Sequence, residues 1–151
     1  MAPMPIPPFD KSGLLPAGLH DCTLNEIRER FGAFQINDQR PELFQKFLAF
    51  AAEVKGAQFV RCLLVDGSFV TAKACPNDID LVIVLPFTHD LKSDLSPAQY
   101  NLVAKRSVQR RYGFDIVAVR ENTVEYDEAA AFFQQVRGQP ALRKGLLRLA
   151  L

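Results

Sequence analysis

Cysteine is scarce and unpatterned in this chain. Cys22, Cys62 and Cys75 stand far apart with no C-x-x-C pair, which argues against a disulfide framework and for a reducing compartment. The two histidines, His20 and His89, are isolated and lack metal-ligand spacing. A dominant charge is missing too: at a net +1, no global field draws the protein to nucleic acid or to a membrane surface. No apolar run approaches the ~20 residues that span a bilayer. The opening "MAPMPIPPFDKSGLLPAG" lacks the basic start and continuous apolar stretch of a signal peptide. A cytoplasmic protein with no membrane partner is the expectation, and no nucleic-acid partner is indicated.

What is present describes one globular domain. In 151 residues, 48% are hydrophobic and 23% charged, enough for a single core and too short for two. Residues 1–22 read as a proline-rich extended arm, because proline fixes φ and donates no backbone hydrogen bond. Residues 23–151 read as the domain. In "TLNEIRERFG", Thr23 and Glu26 form a capping box and Gly32 marks a stop. "RPELFQKFLAFAAEV" places Phe44, Phe47, Leu48, Ala51 and Ala52 at helical spacing. "AQFVRCLLV" and "DIDLVIVLPF" are apolar, β-rich strands. "SPAQYNLVAKRSVQRRYG" has a helical cap at Ser96 and a stop at Gly113. The strand "FDIVAV", the helix "VEYDEAAAFFQQVRG" and a short closing helix "ALRKGLLRLAL" complete the chain. The predicted order is α-α-β-β-α-β-α-α, an α/β (α+β) fold with a small mixed sheet and helices packed on it.

The chemistry concentrates in "LLVDGSFVTAKACPNDIDLVIVL", residues 63–85. Two readings of Asp66-Gly67 are open. As a two-residue hairpin turn it is followed by a strand; as a phosphate-holding loop it offers the backbone N–H groups of Gly67 and Ser68 and a hydroxyl, followed by a short helix. Strand alternation puts Asp78 and Asp80 on one side of the second strand. They are either the charged face of an edge strand or carboxylates whose repulsion is relieved by a hard divalent cation, Mg²⁺ or Mn²⁺. Asp115 joins them if its strand is a neighbour. Three carboxylates around metal suit phosphoryl or nucleotidyl transfer.

Gly-Ser, nine residues, then Asp-x-Asp, with a third acidic residue opening a later strand, resembles the DNA polymerase β-like nucleotidyltransferase superfamily, and by length its minimal members. The resemblance covers roughly residues 58–120. The flanks "PIPPFD…GLLPAGLH", "TLNEIRERF" and "RKGLLRLAL" are similar to a group of uncharacterised bacterial proteins carrying this core. The resemblance implies that Gly67 and Ser68 bind the triphosphate of an NTP and that Asp78, Asp80 and Asp115 hold metal and carry catalysis. Where many minimal members have arginine or glycine after Gly-Ser, this chain has "FVTAK", with Lys73 as the replacement phosphate cation. It also implies transfer of an NMP to a hydroxyl of a protein or small molecule. Some minimal members are antitoxins, which implies a toxin or defence component as partner. The alternative is a nucleotidyltransferase-like module that binds a nucleotide or a protein without turnover. Arg137, Arg143, Lys144 and Arg148 read either as a solvated face or as contacts to phosphates or an acidic partner.

Overall fold

The computed structural model describes residues 6–33, 38–90 and 95–151; residues 1–5 of the expected arm lie outside them. Its elements in chain order are β1 (Gly18–Cys22), α1 (Leu24–Phe31), α2 (Gln39–Ala57), β2 (Cys62–Asp66), β3 (Asp80–Leu85), α3 (Pro97–Val103), α4 (Lys105–Tyr112), β4 (Asp115–Arg120), α5 (Val124–Phe133) and β5 (Gly145–Ala150). A short 3-10 helix, Ser68–Val70, follows β2. The five strands form one mixed sheet in the order β1-β5-β2-β3-β4. Strands β1 and β5 pair in parallel, as do β3 and β4, whereas β2 runs antiparallel to both its neighbours.

Strand alternation divides the core in two. Leu63, Val65, Leu81, Ile83, Ile116, Leu147 and Leu149 face one side, packed with Ile27 and Phe31 of α1, Phe44, Phe47, Phe50 and Val54 of α2, Leu102 of α3 and Val108 of α4. Leu64, Val82, Val84 and Leu146 face the other side, under Ala130 of α5. Each fully buried phenylalanine of α2 contributes on the order of 2–3 kcal/mol of hydrophobic stabilisation. The caps are those the sequence announces. Thr23 and Ser96 form capping boxes with Glu26 and Gln99, and Gly113 closes α4 in the left-handed conformation.

Three elements differ from the sequence expectation. "GLHDC", placed in the arm, forms β1, joined to the domain through its register with β5. The helix expected from Ser96 to Gly113 is two helices, because Ala104 turns to an extended conformation (φ −86°, ψ 118°). The closing segment, expected to be a helix, is strand β5, slotted between β1 and β2. Leucine and arginine favour helix locally, but this position presents Leu146 and Leu147 to opposite buried faces, and tertiary burial overrides a preference of a few tenths of a kcal/mol per residue.

Gly145 makes that slot possible. A Cβ there would lie 2.1 Å from the carbonyl oxygen of Pro16 and 2.7 Å from Nε2 of His20. Gly145→Ala is therefore expected to lower stability by about 2–3 kcal/mol, by forcing β1 away from β5. Urea unfolding would show it as a lower midpoint with an unchanged m-value.

Candidate active site

Register brings carboxylates together at one end of the sheet. Asp66, the last residue of β2, pairs with Asp80, the first of β3, and Asp80 pairs with Asp115, the first of β4. All three share the parity of the strand residues under α5, so they line one face in a row across adjacent strands. The condition on which Asp115 joins the other aspartates, that its strand be a neighbour, is met at Asp80. Asp66, read only as a turn residue, is the addition.

Asp78 occupies a different place. It precedes β3 and is exposed, and its side chain turns back to the loop after β2. Asp78 Oδ1 accepts the backbone N–H of Ser68 at 3.1 Å and also the Ser68 hydroxyl. The hydroxyl oxygen in turn accepts the N–H groups of Asn77 at 3.1 Å and Asp78 at 3.3 Å. The 3-10 helix after Gly67 is the outcome expected of a phosphate-type loop; the hairpin turn would have put a strand there. Gly67 has φ +97°, and a Cβ would come within 2.6 Å of the Asp78 carbonyl oxygen, so both conformation and close approach require glycine.

The loop is held from beneath by a residue the sequence reading passed over. Arg40, in the first turn of α2, is only 2% exposed. It donates to the carbonyls of Phe69 (2.7 Å), Thr71 (2.7 Å) and Lys73 (2.6 Å), and more weakly to Phe31 (3.4 Å). Its signal in the sequence is a cation in the first turn of a helix, where the dipole disfavours positive charge. Lys73 itself gives only its carbonyl to this arrangement. Its side chain is exposed and lines neither cleft at the carboxylate row.

Those two clefts meet at Phe132 and Phe133. One, about 520 Å³, has Asp66 and Asp80 at its floor and Arg137, Arg143 and Lys144 along its wall. The other, about 710 Å³, runs along β4 and α5 from Asp115 and is lined by apolar side chains with charges of both signs, Lys105 and Arg120 against Glu125 and Glu128. Arg148 belongs to neither. It forms a two-pronged pair with Asp21, 2.5 Å and 3.0 Å, across the β1–β5 seam.

The electrostatics follow from crowding. Burial, then the neighbouring charges of Asp78, Asp66 and Asp115, push the Asp80 carboxyl up to about 6, with Lys144 opposing. Burial also raises Asp66, which is 4% exposed. Its Oδ1 is paired with Lys144 Nζ at 3.1 Å. Asp115 accepts from the amide of Gln109 at 3.0 Å once that amide is oriented to suit its surroundings.

Among the described residues, no three carboxylate, imidazole or thiol groups converge closely enough to hold a metal ion. The donor type still fits a hard divalent cation: these are oxygen ligands, and the charges of Asp78, Asp66 and Asp115 add to the effect of burial in raising Asp80. No described helix is long and apolar enough to cross a membrane.

Residues 7–150 match the model of a family described as a family of unknown function, DUF6932. No curated protein matches the chain, and no solved structure matches it.

Proposed function

We propose, from the premise that this chain belongs to the DUF6932 family, whose description names no activity, that it is a metal-dependent nucleotidyltransferase. One observation carries the reading. A register-matched row of Asp66, Asp80 and Asp115 stands beside the Gly67-Ser68 loop, and its Asp66 and Asp80 open on a cleft with a cationic wall.

Asp80 and Asp115, neighbours in register, would each offer the cation a carboxylate oxygen, water and substrate phosphates would complete the shell, and Asp78 would join only on release from Ser68. When bound, Mg²⁺ or Mn²⁺ supplies neutralisation of triphosphate charge and acidifies an acceptor hydroxyl. The rest falls to the chain itself. Gly67 fixes the loop against Asp78, Arg40 braces that loop, and Lys144 opposes the upward shift that burial imposes on Asp66. The substrate is an NTP, and the acceptor is a hydroxyl of a protein side chain or small molecule. Modification of a toxin or defence partner is one version.

A second reading, a module that binds a nucleotide or protein without turnover, is favoured by one specific feature. Both donors of Ser68 are engaged by Asp78, so the loop is not free to receive phosphate as it stands. Titration of Mg²⁺ and each NTP into the wild type and an Asp78→Ala/Asp80→Ala variant, with pyrophosphate release followed over candidate acceptors, separates the two. Metal-dependent release lost in the variant is the expected result. Metal-dependent binding without release supports the module, and absence of metal-dependent nucleotide binding in the wild type removes the transferase.

A further inference from the structure

The segment between α5 and β5 is built more firmly than a connecting loop needs to be. Gln135 and Arg143 form an antiparallel bridge at its base, and the Lys144 N–H donates to the Gln134 carbonyl at 2.9 Å. Internal bonds from Gln139 to Val136 (3.1 Å) and Leu142 to Gln139 (3.0 Å) order its tip. Gly138 takes the left-handed turn (φ +78°). The Gln134 side chain ties the base to β1 by accepting the Gly18 N–H at 2.7 Å. Arg137, Arg143 and Lys144, carried on this segment, line the 520 Å³ cleft above Asp66 and Asp80.

We infer that this basic segment is a binding site for the polyphosphate chain of a nucleotide. The inference rests on the transferase reading for the identity of the nucleotide and deepens it, by assigning phosphate recognition to the segment before β5 and not to Ser68. Three facts combine. The Ser68 N–H and hydroxyl are both directed at Asp78. Lys73 lies outside the cleft. The three cations share the cleft with the carboxylate floor, where a polyanion needs a positive wall on the side away from Asp66 and Asp80.

Lys144 is set in place by the buried Asp66 Oδ1, and its ammonium has three donors, of which one pair uses at most one. Arg143 donates from Nη1 to the carbonyls of Pro140 and Leu142, each at 3.1 Å, which orients a guanidinium whose other donors can fork onto phosphate oxygens. The cleft volume lies within the range of small-molecule sites, about 300–1,000 Å³.

The test is calorimetric titration of inorganic tripolyphosphate into the full chain, at low ionic strength and without divalent metal. The Arg137→Ala/Arg143→Ala variant is expected to bind at least about tenfold more weakly, as loss of two charge-assisted contacts requires. Arg106→Ala/Arg110→Ala, which removes the same charge from exposed positions of α4 outside the cleft, is expected to change affinity by less than about twofold, because screened charges at a distance contribute little. All four side chains are exposed, and matched thermal unfolding of the variants verifies folding. No binding by the wild type, or equal losses in the two variants, overturns the inference.

A paired variant, Asp66→Asn with Lys144→Met, removes Lys144 without leaving a buried unpaired charge; it too is expected to lose affinity. Turnover separates this inference from the transferase reading. Nucleotide transfer with an unchanged KM in Arg137→Ala/Arg143→Ala overturns the phosphate wall and leaves the enzyme standing. Tripolyphosphate binding that depends on the two arginines, with no transfer from any NTP, supports the wall and removes the enzyme.

Discussion

Asp80→Asn is expected to make the metal-free protein more stable at neutral pH while abolishing the proposed nucleotide transfer. The two effects have one cause. Asp80 is half buried and sits in a row of like charges, and burial first, then those charges, raise its carboxyl to about 6 in the folded protein, against about 3.9 in an unfolded chain. Between those values the unfolded chain gives up its proton first. Stability therefore falls as pH rises from about 4 to about 6, and the loss is complete above the folded value. With the shift discounted for the solvent that still reaches the side chain, the cost at pH 7 is about 1–2 kcal/mol.

Asparagine carries no charge and escapes that cost, yet cannot serve as an anionic metal ligand. Denaturant unfolding at pH 4.5 and 7.5 would show a smaller drop in the variant than in the wild type. Mg²⁺ would raise the melting temperature of the wild type only, and transfer would fall at least about a thousandfold. A variant less stable than wild type at pH 7.5 would contradict the crowding of the row. Sites that work by concentrated charge are commonly bought with stability.

The second large effect belongs to Arg40. Arg40→Ala removes three short hydrogen bonds to the carbonyls of Phe69, Thr71 and Lys73. At about 1–3 kcal/mol for each polar group left unpaired, reduced where water can reach, the expected loss is about 3–5 kcal/mol. Burial lowers the pKa of Arg40, which marks a charge kept inside at some cost. Arg40→Lys should recover little of the loss, since an ammonium on a flexible stem cannot span three carbonyls as a planar fork does. The mechanism predicts more than a lower melting temperature. Hydrogen exchange at residues 68–72 should accelerate in Arg40→Lys well beyond its change in the strands, because the loop loses its support first. Uniform acceleration across the sheet would make Arg40 a general core residue instead.

Much of this arrangement was legible before any fold was seen. The capping box at Thr23, the cap at Ser96, the apolar face of α2 and the cores of β2, β3 and β4 are local patterns, and local patterns survive into the structure. Asp80 and Asp115 could be proposed as neighbours because each opens an apolar strand. What was hidden depended on partners distant in sequence. Asp66 reads as the start of a turn; only its register opposite Asp80 makes it part of a carboxylate row. The closing leucines of β5 read as helix because their burial between two strands is a tertiary fact. The break at Ala104 carries no proline or glycine to announce it. Arg40 was an oddity of placement, a cation where the helix dipole opposes it, and its carbonyl partners lie about thirty residues away in the chain.

The place of β5 in the sheet also sets a timetable. Its residues 145–150 lie between strands formed from residues 18–22 and 62–66, so the interior of the sheet waits for a segment synthesised more than seventy residues after its neighbours. Until it arrives, β2 exposes one edge and β1 has no strand to pair with. Non-local closure of this kind slows folding and leaves apolar edges open to other nascent chains. Lys144 enters with β5, and until then the buried Asp66 lacks its counter-charge. Assembly of the sheet and electrical completion of the cleft are thus one event.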